Sequence, residues 1–212
     1  MFTTVLPRNA QTALAILGGS GIVSEAYLAG GTALALQLGH RESVDFDFFT
    51  QTAFDPINLS KQFETAGQFT QTFAKGISLM GEFNGVKVSY FSYNYPILEQ
   101  TIPYLEVKLA HIHDIAAMKL VAICDRSTRK DFIDLYTIAN YGISFEQMFD
   151  LYEKKYHVFS ENKFTLIKSM TYFDEADVDE MPKMFASTTW DEVKRFLSSE
   201  SMRLGKIYLE GE

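Results

Sequence analysis

The chain has 212 residues, with 47% apolar and 22% charged side chains and a formal net charge of −8. That is ordinary globular composition, and it excludes default disorder. No apolar run approaches the roughly 20 residues of a spanning helix, and 19 basic against 27 acidic residues disfavour a generally basic nucleic-acid binder.

The single cysteine, Cys124, rules out an intramolecular disulfide and a thiolate zinc cage. Met1 to Arg8 lacks the basic-then-apolar order of a secretory leader, so the expectation is a cytoplasmic protein. In chain order, Asn9–Leu17 reads as a helix. Ala26–Ala29 is a short apolar strand ended by Gly30-Gly31, and Thr32–Leu38 is a run of good helix formers stopped by Gly39. Val44–Thr50 alternates as a strand, with Val44, Phe46 and Phe48 toward the core. Ile57–Ala66 is a helix. Strands follow at 69–74, 78–83 and 86–93, and the Asn84-Gly85 pair supplies a hairpin turn. A further short strand is expected at 106–110.

From about residue 111 the pattern turns helical. Asp114 reads as an N-cap for the apolar stretch 115–124. Residues 130–140 form an amphipathic helix with Phe132, Leu135, Tyr136 and Ala139 on its apolar face. More helices are expected at 144–157, 160–172 and 189–203, with the acidic stretch 174–180 as a solvated loop. The division predicted is a core over 1–110 and a helical region over 111–212, packed on that core.

The segment richest in chemistry is Gly30-Gly31-Thr32 followed by Asp45-Phe46-Asp47. Alternate strand residues share a face, so Asp45 and Asp47 project together. Two like charges on an apolar strand resist burial, and a divalent cation removes that cost. Mg²⁺ suits the pair, because it takes one or two carboxylates together with water and substrate phosphates. The glycines allow close backbone approach, Thr32 could cap the helix that follows, and that helix start could hold a phosphate. Together these features fit phosphoryl transfer on a nucleotide.

The stretch YLAGGTALALQLGHRESVDFDFF resembles the nucleotidyltransferase motif of the AbiEii/AbiGii toxin family, within the DNA polymerase β-like superfamily. DIAAMKLVAICDRSTRKDFIDLY resembles the same family's helical signature. The resemblance implies an α+β fold with a small mixed sheet in a polymerase β-like core, then a helical C-terminal half. It also implies a Mg²⁺-dependent transfer of a nucleotide from an NTP to an acceptor such as the 3′ end of tRNA. The protein would be a toxin with an antitoxin partner and no membrane association.

By this likeness Asp45 and Asp47 are the metal pair, and Gly30, Gly31 and Thr32 the phosphate turn. Arg41 and Ser43, with His40, match the lead-in to the aspartates, and Arg41 could fork onto a triphosphate oxygen. A solvated turn arginine is the plain alternative, and a capping role suits His40 better than catalysis. Lys119 is the one cation inside an otherwise apolar helix, so it must reach solvent or an anion. Phosphate contact is favoured for it over a structural salt bridge. Asp131 or Asp134 would orient it or line the acceptor side, while a Lys130–Asp134 surface pair is the ordinary reading.

The superfamily's third carboxylate is expected on 86–91, where Ser89 stands instead; Glu82 is the substitute considered. A non-catalytic nucleotide-binding or interaction module is therefore the first alternative, and transfer to a small molecule the second. Lys154, Lys155, Lys163 and Lys168 are candidates for an RNA-facing patch, against the commoner solvated face. The His111/His113 pair lacks a third ligand nearby, and Cys124 reads as an inert thiol.

Overall fold

In the computed structural model, residues 1–209 are described. Contacts divide the chain into two compact units, Met1–His111 and Ile112–Glu212.

The first unit opens with a 3₁₀ turn at Thr3–Val5. Then come helix α1 (Arg8–Ser20), strand β1 (Tyr27–Ala29), helix α2 (Gly30–Leu38), strand β2 (Phe46–Thr50) and helix α3 (Pro56–Ala66). Strands β3 (Phe69–Lys75), β4 (Ser78–Phe83), β5 (Val86–Ser92), β6 (Ile102–Tyr104) and β7 (Val107–Leu109) complete it. They form one mixed sheet in the order β3-β4-β5-β2-β1-β7-β6. β1 runs antiparallel to β2 and parallel to β7, and β2 runs parallel to β5.

Strand alternation separates the two faces of the sheet. One face carries Leu28, Phe46, Phe48, Val88, Tyr90 and Phe83, all buried, against α1 and α3. Phe63 of α3 meets the rings of Phe69 and Phe83 there. The opposite face carries Asp47 and Phe49 of β2, both half-buried. The Asp55 carboxylate caps α3, accepting from the amides of Ile57 and Asn58. Asn84 (φ 49°) and Gly85 (φ 77°) make the tight turn between β4 and β5.

The second unit is helical: α4 (Ile112–Asp125), α5 (Arg129–Tyr141), α6 (Phe145–Tyr156), α7 (Phe159–Ser169), α8 (Asp174–Val178) and α9 (Trp190–Tyr208). α4 packs on α5, α6 and α7, and α9 closes against α5 and α7. Capping boxes at Ser144/Gln147 and Thr189/Glu192 start α6 and α9. Among the described residues no helix is long and apolar enough to cross a membrane.

Several expectations need correction. β2 starts at Phe46, and Val44 is exposed rather than in the core. The chain around residues 43–45 is tied to α2 through the Thr32 hydroxyl, which holds it out of the strand. Residues 174–178 are a short helix, anchored by buried Ala176, whose carbonyl accepts from Arg129. β6 was not predicted: it has three residues including Pro103 and gains its order from pairing with β7.

Candidate active site

Helix α2 begins at Gly30, two residues earlier than the sequence pattern suggested, so the glycine pair is the helix's first turn. Gly30 has φ +65°, a conformation that disfavours side chains. A Cβ on Gly30 would also lie 2.9 Å from Asp47 Oδ2. The carboxylate at the heart of the motif thus sits against the backbone at the start of α2. Register explains the proximity: β1 and β2 are antiparallel neighbours, with Ala29 opposite Asp47.

Gly31 is needed for a second approach. A Cβ there would be 2.2 Å from Nη2 of Arg41. Arg41 is 2% exposed, which discards the solvated turn arginine. Its Nη1 donates to the Glu42 carbonyl at 3.1 Å. A guanidinium beside the first turn of a helix adds to the positive end of its dipole, a setting that favours anions. His40 is buried beside the left-handed Gly39 that ends α2.

Thr32 does not cap α2. It lies inside the helix, and no side-chain cap bond is made at the N-cap, Ala29. Its hydroxyl instead donates to the Asp45 carbonyl and lies 2.8 Å from the Ser43 hydroxyl. Thr32 and Ser43 therefore position the segment that carries Asp45. Asp45 and Asp47 are both half-buried.

Asp47 pairs in parallel register with Ser89 of β5. Ser89 thus occupies the neighbouring position on the same face, where the third acid was expected. Glu82 does not replace it. Glu82 lies on β4, opposite Lys87, two strands from β2 and so roughly 10 Å away. Among the described residues no group of three or more His, Cys, Asp or Glu is arranged to hold a metal. Asp45 lies just before β2, so strand alternation does not set its side chain on the face of Asp47 as the sequence pattern predicts.

Gly31→Ala separates stability from binding. Alanine favours the helix interior by about 0.5–1 kcal/mol, but its methyl displaces the Arg41 guanidinium. A melting temperature within a few degrees of the wild type is expected and, at the NTP site that the resemblance implies, an affinity reduced several-fold, read by calorimetry.

In the helical unit, Lys119 Nζ lies 2.7 Å from Asp131 Oδ1 and 2.6 Å from Asp134 Oδ2, and all three side chains are buried. The structural ion pair ranked below phosphate contact in the sequence is thus formed. Asp134 turns inward to Lys119, so the Lys130–Asp134 surface reading fails. Asp131 also accepts two bonds from Arg126 and one from Thr128. Burial alone would raise the Asp131 carboxyl, but the Lys119 ammonium and the Arg126 guanidinium outweigh it and hold the group well below the usual carboxylate range.

A carboxyl depressed in the folded state contributes stability above its unfolded pKa of about 3.9, and loses it as pH falls toward the folded value. The melting temperature should fall steeply below pH 4, and Asp131→Asn should flatten that slope while lowering stability at neutral pH. Melts over an acid pH series check both.

Two further expectations fail in this unit. Asp114 is no N-cap: α4 starts at Ile112, and Asp114 lies buried in the first turn. Lys155 belongs to no surface patch: it is fully buried, with Nζ 2.7 Å from Asp114 Oδ1. The spacing of Met148, Tyr152 and Lys155 along the buried side of α6 is the signal that could have found it. Burial pushes the Cys124 thiol up, which suits an inert group.

Comparison with known proteins agrees with this architecture. The chain is 34% identical over 210 residues to an uncharacterized protein of Aquifex aeolicus (strain VF5), spanning 97% of this chain and 98% of the relative. The crystal structure of JHP933 from Helicobacter pylori is similar, with a TM-score of 0.56 and 19% identity over 97% of this chain and 95% of that one. A second H. pylori structure, of a candidate nucleotidyltransferase, has the same TM-score at 18% identity over 97% and 99% of the two chains. At such identity these structures speak for the fold. The family described as "Nucleotidyl transferase AbiEii toxin, Type IV TA system" matches residues 14–90 and 86–203. The chain belongs to the AbiEii nucleotidyl transferase toxin family.

Proposed function

We propose that this protein is a nucleotidyltransferase toxin that moves a nucleoside monophosphate from an NTP to a hydroxyl acceptor, with the 3′ end of tRNA as the acceptor. The observation that carries the reading is the Asp47 carboxylate set against Gly30 at the start of α2, beside the Arg41 guanidinium on Gly31. One feature there suits a cation and the other an anion, which is the pairing a metal-bound triphosphate needs.

In this reading Asp45 and Asp47 would hold Mg²⁺, which supplies neutralisation of the charge that develops on the phosphates. The first amides of α2 and Arg41 bind triphosphate oxygens. Thr32 and Ser43 fix the segment bearing Asp45. The acceptor hydroxyl attacks the α-phosphate, and pyrophosphate leaves. Lys119, Asp131 and Asp134 are assigned to the architecture of the helical unit rather than to the reacting atoms. An antitoxin partner follows from the family.

Ser89 opposite Asp47 favours a second reading, a nucleotide-binding module without turnover. The test is label transfer. Protein, Mg²⁺ and each α-labelled NTP are incubated with total tRNA or with a metabolite extract. Label on RNA supports the proposal. Label on a small molecule keeps the chemistry and replaces the acceptor. NTP binding without transfer selects the module.

A further inference from the structure

The sheet face that carries Asp47 also carries a row of half-buried aromatic rings that the reaction chemistry does not use. Phe49 follows Asp47 by two residues on β2, so it shares that face about 7 Å further along. Phe91 of β5 lies beside it in register, as Ser89 lies beside Asp47. The ring centroids of Phe49 and Phe91 are 5.6 Å apart. Phe49 also meets Tyr93 at 5.1 Å, and Tyr93 meets Tyr95 at 4.9 Å. Tyr95, at the outer end, is 44% exposed. The row leads outward from the carboxylate over a distance on the order of 15 Å.

A sheet interior buries its rings, as Phe46, Phe48 and Phe83 are buried on the other face. Phe49 is also stacked on buried Tyr27, with centroids 6.0 Å apart, so the ring surface left to cover lies at the outer end of the row, at Tyr95 above all. Successive bases stack on such rings whatever their sequence, because every base has a π-face. Exposed lysines Lys75 and Lys87 supply charge complementary to phosphates. The register puts Lys75 in the row of Ser78 and Phe91, and Lys87 on the face of Ser89. Glu82 lies opposite Lys87 and offsets part of that charge, so stacking dominates and the salt dependence is shallow.

We propose that the Phe49–Phe91–Tyr93–Tyr95 row is the docking surface for the last bases of a single-stranded nucleic-acid acceptor, directing its terminal hydroxyl toward Asp47. The proposal rests on the transferase reading for its purpose, but not for its binding. An NTP held by its own phosphates at Asp47 covers one ring at most, whereas a row of rings matches consecutive bases.

The probe is a 5′-fluorescein-labelled single-stranded RNA of roughly eight nucleotides, titrated by anisotropy without NTP or Mg²⁺. Tyr95→Ala should raise its Kd about tenfold, Tyr95→Phe should restore it, and Phe164→Ala, an exposed ring in the helical unit, should leave it unchanged. Circular dichroism checks that each variant is folded. An unchanged Kd in Tyr95→Ala, or no saturable binding by the wild type, overturns the proposal. Loss of ATP affinity in Tyr95→Ala also overturns it, because the ring would then serve the NTP base. RNA binding that depends on Tyr95 in a protein that transfers no label keeps this surface and removes the transferase reading. Transfer to RNA with an acceptor KM indifferent to Tyr95→Ala keeps the transferase reading and removes this surface.

Discussion

Asp47→Asn should reduce nucleotide transfer at least about a hundredfold while leaving the fold intact. Asparagine keeps the shape against Gly30, where space for a side chain is tight, but removes the anionic oxygen. Electrostatic stabilisation by a bound cation is worth several kcal/mol in the transition state, and each 1.36 kcal/mol is tenfold in rate. Stability should move the other way or not at all. Asp45 and Asp47 are like charges on one short segment, and both are only half-buried, so neutralising one relieves repulsion by no more than about 1 kcal/mol. Single-turnover transfer and a thermal melt on the same preparation separate the two effects. Lost activity together with a lower melting temperature would mean that Asp47 holds the sheet together.

Lys119→Met should produce the largest stability loss, roughly 3–5 kcal/mol. The ammonium sits between two carboxylates that are 1% and 0% exposed. Arg126 still pairs with Asp131 after the substitution, so the loss is felt mainly at Asp134. For a chain of this size the expected drop in melting temperature is on the order of 10 °C. The double variant Lys119→Met/Asp134→Leu should recover much of the loss, because it removes the buried charge along with its partner. Urea unfolding of the two variants measures this. A stable Lys119→Met protein that has lost NTP affinity would put the lysine back at the phosphates, as the family likeness implies.

β2 was legible because its alternation is strict: Phe46 and Phe48 inward with Asp47 outward is a period of two that no helix imitates. Gly30-Gly31 signalled close approach, and both glycines have a named reason in Asp47 and Arg41. Other features depended on partners far along the chain. Arg41 reads as a turn residue until α2 packs under its guanidinium. Asp114 and Lys155 are 41 positions apart and meet only through the packing of α4 on α6. Lys130, one turn away, made a surface pair the ordinary reading of Asp134, and only the family likeness offered its partner on α4, Lys119. The aromatic row escaped notice because its rings come from two strands and a loop, and only the parallel register of β2 with β5 aligns them.

In the proposed reading the two aspartates and the glycine turn form one metal–nucleotide site. Equilibrium binding tests it most directly, because no acceptor has to be known. Each NTP is titrated by calorimetry into the wild type and Asp45→Asn/Asp47→Asn, with Mg²⁺ and with EDTA. Binding should saturate, need Mg²⁺ and disappear in the double variant. Nucleotide affinity indifferent to both the cation and the aspartates would contradict this reading.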